Sequence, residues 1–154
     1  MNQKKIIHLI TTIEFGGAEK QLLILARNQI KQGLEVEVFY LKGKPELKKQ
    51  FEDVGVKVNS LLVDQPFIFQ VTKFRKFIRS NKSPVHTHLP QAELVASLAC
   101  KKKKFIISRH NFEQTEKNVI DTIEMSEKPH HGDDVKLYFG KGEGRGKGEG
   151  KGEG

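Results

Sequence analysis

The stretch from Lys5 to Gln21 narrows the folds open to this chain more than any other. It begins with an apolar run long enough for one strand, Ile6 to Ile10, and passes through a polar bend at Thr11 to Phe15. Gly16-Gly17 follows, and then an amphipathic run opening at Gln21-Leu22-Leu23-Ile24. Strand, glycine turn and helix in that order are how doubly wound α/β domains begin. Two adjacent glycines let main-chain N–H groups at a helix N-terminus come close to an anion such as a diphosphate. By itself the pair is equally compatible with a tight turn that binds nothing. It is neither a G-x-G-x-x-G dinucleotide fingerprint nor a P-loop, because no Gly-Lys-Ser/Thr follows.

The remaining pattern extends the same scheme. A helix is expected from about Gly17 to Lys31, with Leu22, Leu25, Ala26 and Ile30 at helical period and Gly33 as its C-terminal cap. Glu35 to Leu41 begins with alternation of period two and reads as a second strand. Pro45 is placed to start a short helix over 46–53 that stops at Gly55. Val56 to Val58 forms a third strand, and a helix from about Ile68 to Ser80 buries Val71, Phe74, Phe77 and Ile78. Val85 to His88 is a fourth strand, Pro90 to Ala99 a small-residue helix, and Phe105 to Ser108 a fifth strand. The expected fold is a Rossmann-like α/β domain with a parallel sheet and right-handed crossovers over residues 1–112. Residues 113–139 show no sustained period. Residues 140–154 alternate glycine with Lys, Glu or Arg, which cannot bury a core, so a disordered tail is expected there.

Charge and cysteine content bound the function classes. A formal net charge of +8 favours an anionic partner without choosing among them. The basic face of the third helical segment (Lys73, Arg75, Lys76, Arg79) reads first as solvated surface, and second as a contact for an acidic membrane. Lys101 to Lys104 has no aromatic stacking platform beside it, so nucleic acid is not an expected partner. Cys100 is the single cysteine, which excludes an intrachain disulfide and a cysteine-rich zinc site and fits a reducing cytoplasm. The N-terminal apolar run is short, broken by His8 and without a small-residue cleavage site, and no segment is long enough to span a bilayer. A cytoplasmic location is expected, with peripheral contact to the inner face of a membrane as an extension of it.

In an open parallel sheet, ligands sit outside the carboxyl ends of the strands where strand order reverses. In a 3-2-1-4-5 order, strands one, four and five are neighbours. Gly16 and Gly17, His88, His110 and Asn111 then face one crevice. His86 and His88 are two apart and point to the same side of a strand. A metal shared with His110 lacks a convincing carboxylate ligand, so no metal and no cofactor is expected. His86 is expected to be packed or hydrogen-bonded within the sheet. His110 beside a phosphate-ready loop suits a general base or phosphate partner. His130-His131 carries no assigned role.

Phe15-Gly16-Gly17-Ala18-Glu19-Lys20 with Gln-Leu-Leu after it, His86-Thr87-His88-Leu89-Pro90, and Ser108-Arg109-His110-Asn111 occur in that order. Together they resemble the N-terminal half of a family 4, retaining, GT-B glycosyltransferase, over residues 4–112. The resemblance implies an acceptor-side Rossmann-like domain whose companion domain binds a nucleotide-sugar. It implies that Gly16-Gly17 approaches the donor diphosphate, that His88 lines the cleft, that His110 lies at the reaction centre and that no metal is needed. Two departures stand out. Ser83-Pro84-Val85 shortens the entrance to strand four, and residues 113–154 hold nothing like the family's paired glutamates or its Arg/Lys pair. The sequence therefore reads as a glycosyltransferase half-domain, hexosyl-transferring by descent toward a glycan, lipid-linked or small-molecule acceptor, and inactive alone. The alternative is a non-catalytic module that binds an acceptor or anion, completed in trans by a separate C-terminal chain.

Overall fold

The computed structural model describes residues 4–100 and, as backbone, the strand at 105–108. Its elements run β1 (Lys5–Ile10), α1 (Gly17–Lys31), β2 (Glu35–Tyr40), α2 (Lys48–Asp53), β3 (Lys57–Asn59), α3 (Phe67–Ser80), β4 (Val85–His88), α4 (Pro90–Ala99) and β5 (Phe105–Ser108). The five strands form one sheet in the order β3-β2-β1-β4-β5, every neighbouring pair parallel. This is the Rossmann-like order expected from the sequence. The assignments to Lys101–Lys104, His110, Asn111, His130-His131 and the segments 113–139 and 140–154 lie outside the described residues.

Alternation along the central strands divides the core into two layers. Ile6 and Ile10 of β1 join Val36, Val38 and Tyr40 of β2 against Leu22, Leu23 and Ala26 of α1 and Phe51 of α2. Ile7 and Leu9 face the other way with Phe39, against Val71, Phe74 and Ile78 of α3 and Val95 and Ala96 of α4. A central parallel strand buried on both faces needs apolar residues at consecutive positions, as β1 has. Phe39 meets Phe74 edge-on at 5.5 Å between ring centroids and Phe77 at 4.7 Å, an aromatic knot that seats α3.

Two helices end at glycines in the left-handed region, Gly33 (φ 86°) and Gly55 (φ 93°). After α1, the Leu34 N–H donates to the Gln29 carbonyl and the Gly33 N–H to that of Ile30. This paired closure satisfies carbonyls that the last turn leaves free.

The start of α2 differs from expectation. Pro45 opens a turn instead, and the helix begins at Lys48. The residues between serve the β1–α1 loop: the Leu47 N–H donates to the Ile13 carbonyl, and the Glu46 carboxylate accepts the Phe15 N–H at 2.8 Å. In return the Glu14 carboxylate accepts the Lys44 N–H at 2.9 Å. Long-range ties thus override local helix propensity at 46 and 47.

Candidate functional site

The switch point lies between β1, whose chain crosses over to β2, and β4, which leads outward to β5. Ile10 pairs with His88, so both strands end at the same level. The loop after β1 carries Gly16 as the N-cap of α1, with Gly17 as the first helical residue. The two glycines have different surroundings. A Cβ at Gly16 would collide with the Glu19 carboxylate, whereas one at Gly17 would meet nothing within 4 Å. Glu19 is buried and accepts the Thr12 hydroxyl at 2.7 Å. An acidic side chain in the first turn is favourable beside the positive end of a helix. The chain's own carboxylate therefore occupies the space above Gly16, and Gly17 is the exposed point where a ligand has room to approach the backbone.

Across the crevice, β4 hands over to α4 through Leu89, a non-glycine residue at φ 73° with Pro90 in the first helical turn. Proline pre-sets the helical φ of that turn, and the residue before it absorbs the change of direction. Backbone held in such a region is costly, on the order of 1–3 kcal/mol, and is found where the surrounding structure demands it.

His88 does not stand open in the crevice. The residue is buried, and its side chain lies on the α1 face of the sheet. There it meets His86, as the two-residue spacing implies, with ring centroids 4.1 Å apart. A third imidazole completes the group. His8 of β1 pairs with His86 across the strands, and its ring centroid is 5.1 Å from that of His86 and 5.2 Å from that of His88. His8 Nδ1 lies 3.0 Å from His88 Nε2, and His8 Nε2 lies 2.8 Å from Gln29 Oε1 of α1. Because the amide oxygen can only accept, Nε2 carries the proton and Nδ1 presents its lone pair to His88. His86 is fully buried, and among the described residues neither ring nitrogen has a hydrogen-bond partner.

Burial holds all three imidazoles in the neutral form. It pushes His8 down to about 4, against a partial counter-effect of the Gln29 hydrogen bond. Burial, and then the neighbouring histidines, pushes His86 and His88 well below the ordinary range. Sequence reasoning treated His8 only as a break in an apolar run. The signal that it belongs with His86 and His88 is the β1–β4 pairing, which no local pattern carries.

A second buried polar group lies away from the crevice, toward the other end of β2. The Glu37 carboxylate, fully buried, is 2.7 Å from Lys5 Nζ and 3.6 Å from Lys57 Nζ, and accepts Asn59 Nδ2 at 3.0 Å. Desolvation alone would raise its pKa, but the Asn59 hydrogen bond and the Lys5 and Lys57 charges outweigh it and hold the carboxyl below its usual range. The cluster ties β1, β2 and β3 together.

The basic face of α3 is partly engaged within the fold: Lys73 Nζ donates to Gln65 Oε1 at 2.9 Å and Arg75 to the Leu98 carbonyl at 2.6 Å. Lys76 and Arg79 are exposed. Among the described residues, no helix is long and apolar enough to cross a membrane.

Comparison with known proteins follows the same lines as the geometry. The chain is similar in structure to a glycosyltransferase of Rickettsia africae, with a TM-score of 0.54 and 19% identity over 71% of this chain and 30% of that one. It is also similar to Anabaena Alr3699/HepE, solved in complex with UDP, with a TM-score of 0.51 and 20% identity over 77% of this chain and 34% of that one. The chain thus spans about a third of the length of these solved structures. No curated protein matches it in sequence. The model of the family described as Glycosyltransferase Family 4 matches residues 15–137, from the glycine loop through β5 and beyond. That match takes in most of the chain and coincides with the two-glycine loop and the β4 terminus at the switch point, so the chain belongs to glycosyltransferase family 4.

Proposed function

We propose that residues 1–154 supply the acceptor-side half of a GT-B cleft. The cleft would transfer a hexosyl unit, with retention of configuration, from a nucleotide-sugar to a glycan, lipid-linked or small-molecule acceptor. The observation that carries the reading is the exposed N-terminus of α1 at Gly17, open to a ligand at the switch point between β1 and β4. Main-chain N–H groups at such a terminus attract a diphosphate, and the UDP held by the Anabaena protein is a ligand of that kind. In this reading the Gly16-Gly17 loop faces the donor diphosphate, with Gly17 as the point of approach because the Glu19 carboxylate fills the space above Gly16, and His88 backs the cleft floor. His110 serves at the reaction centre with Asn111 beside it.

Transfer requires donor and acceptor to be fixed together in a closed cleft. The 154 residues alone are therefore proposed to have no turnover, and to gain it when a donor-binding C-terminal domain is supplied in trans. The test is transfer from a panel of nucleotide-sugars, assayed with the purified chain alone and with such a domain added. Turnover by the chain alone would overturn the inactivity. Backbone amide signals of Gly16 and Gly17 that stay unmoved by every nucleoside diphosphate would overturn the diphosphate reading and favour a non-catalytic acceptor module.

A membrane-borne acceptor is favoured by one further feature. Phe67, Ile68 and Phe69 are exposed at the start of α3, on the helix that also exposes Lys76 and Arg79. Apolar residues with basic neighbours suit peripheral contact with an acidic bilayer. Sedimentation with anionic but not neutral vesicles is the expected result, and equal partition to both would remove the reading.

A further inference from the structure

His8, His86 and His88 bring one ring each to the α1 face of the sheet, and their candidate ligand nitrogens all lie within 4.8 Å of one another. All three are buried, and among the described residues the group holds no carboxylate and no thiol. Cys100 is packed in the opposite layer, with α3 and α4. We propose that these three imidazoles form a binding site for a divalent transition metal ion of the Zn2+ or Co2+ class, one that clamps β1 to β4 at the switch point.

Two observations support the site independently of the proximity. The first is His86, fully buried with both ring nitrogens unpartnered among the described residues. A buried polar atom without a partner is destabilising, and a cation would accept the lone pair that no described residue uses. The second is Gln29. A metal-binding imidazole characteristically donates its other N–H to an oxygen, which fixes the tautomer and orients the ring. His8 is held that way, with Nε2 donating to Gln29 Oε1 at 2.8 Å and Nδ1 turned toward His88 Nε2.

The donor set decides the ion. Imidazole suits Zn2+, Co2+, Ni2+ or Cu2+, whereas Mg2+ and Ca2+ demand oxygen ligands. Three histidines leave a fourth tetrahedral position for water or hydroxide, and a bound hydroxide would halve the charge brought into a buried place. Two nitrogens around a tetrahedral ion at 2.0–2.1 Å are about 3.3 Å apart. His8 Nδ1 and His88 Nε2, 3.0 Å apart, need to separate by only a few tenths of an ångström.

The site shares His88 with the proposed cleft floor but takes no part in transfer, so its failure would leave the transfer reading standing. The test uses the untagged full chain, titrated with Co2+ at pH 7.5 and followed by visible absorption, with Zn2+ as competitor and thermal melting in parallel. One equivalent is expected to bind with the intense visible bands of four-coordinate Co2+, to be displaced by Zn2+, and to raise Tm by several degrees. His86→Leu, which replaces the unpartnered ring by an apolar side chain, is expected to weaken binding at least tenfold. The combined variant His110→Ala, His130→Ala, His131→Ala removes every other histidine of the chain's six and is expected to bind as before. Absence of binding to the folded wild-type chain overturns the proposal, as does loss of binding in the combined variant. These outcomes decide the matter even if His86→Leu fails to fold.

Discussion

His8 Nδ1 sits 3.0 Å from His88 Nε2, although eighty positions separate them in the chain. Each belongs to a strand buried on both faces, and their meeting sets imidazoles where a Rossmann-like core ordinarily carries aliphatic side chains. The arrangement ties the pH behaviour of the fold to its switch point.

Acid should destabilise the domain well above the range in which exposed carboxylates titrate. Below an unfolded value of 6.5, the unfolded chain takes up protons that the buried rings refuse, so stability falls as pH falls through the window down to the folded value. For His8, with a folded value of about 4, the full window corresponds to about 3 kcal/mol. His86 and His88 act in the same direction. Glu37, held below its usual range, adds a further loss at pH values under its unfolded 4.5. Urea midpoints measured at pH 7.5 and 4.5 should drop markedly, and His86→Leu should shrink the drop. Equal midpoints would mean that the rings accept protons in the folded state.

Glu37→Gln should destabilise the fold by about 3 kcal/mol, the usual scale for removing one partner of a buried ion pair. The change removes the buried charge that Lys5 Nζ faces at 2.7 Å, leaving that amine only the half-exposed Glu35 at 3.2 Å. Lys57→Ala should cost far less, because that side chain is largely exposed and its amine is 3.6 Å away. Denaturant unfolding of both variants separates the two cases, and equal losses would show that Lys57 rather than Lys5 holds the carboxylate.

Gln70→Leu should cost about 1–3 kcal/mol despite burying a more apolar residue. Gln70 Nε2 donates to the carbonyls of Leu41 and Leu62, at 2.9 and 3.0 Å, inside the α3 layer. The Leu41 oxygen keeps the Asp64 N–H at 2.9 Å and the Leu62 oxygen the Gln65 N–H at 3.3 Å, so each buried carbonyl loses one of its two partners. A urea midpoint unchanged from wild type would show that the leucine side chain compensates by packing.

Gln70 also marks where the sequence stops being readable. Glycine and proline punctuation locates the ends of α1 and α2 and the start of α4, because Gly33, Gly55 and Pro90 act through local backbone geometry. Buried glutamines such as Gln29 and Gln70 interrupt the apolar period of their helices, so periodicity reads them as surface. The same applies to Glu37, whose alternation with Val36 and Val38 suggests a solvent face that β2, between β1 and β3, does not have. His8 is the extreme case: its partners lie on β4, and only the tertiary pairing of β1 with β4 reveals them. The late start of α2 has the same origin, since Glu46 and Leu47 answer to Phe15 and Ile13 rather than to their own helix.

The two glycines of the β1–α1 loop should respond oppositely to alanine. Gly16→Ala drives a methyl group into the Glu19 carboxylate, which must move and release the Thr12 hydroxyl that it accepts at 2.7 Å. Breaking that charge-assisted hydrogen bond should lower stability by about 1.5–3 kcal/mol. Gly17→Ala meets no atom within 4 Å and lies inside the first turn of α1. Alanine there restricts the unfolded chain and favours the helix, so a gain of about 0.4–1 kcal/mol is expected. If Gly17 is where a diphosphate reaches the backbone, its added methyl group should weaken nucleotide-sugar binding while Tm rises. Tm and ligand titration on the same two variants therefore separate folding from binding. A Gly17→Ala protein that is both more stable and undiminished in binding would assign the glycine to the turn alone.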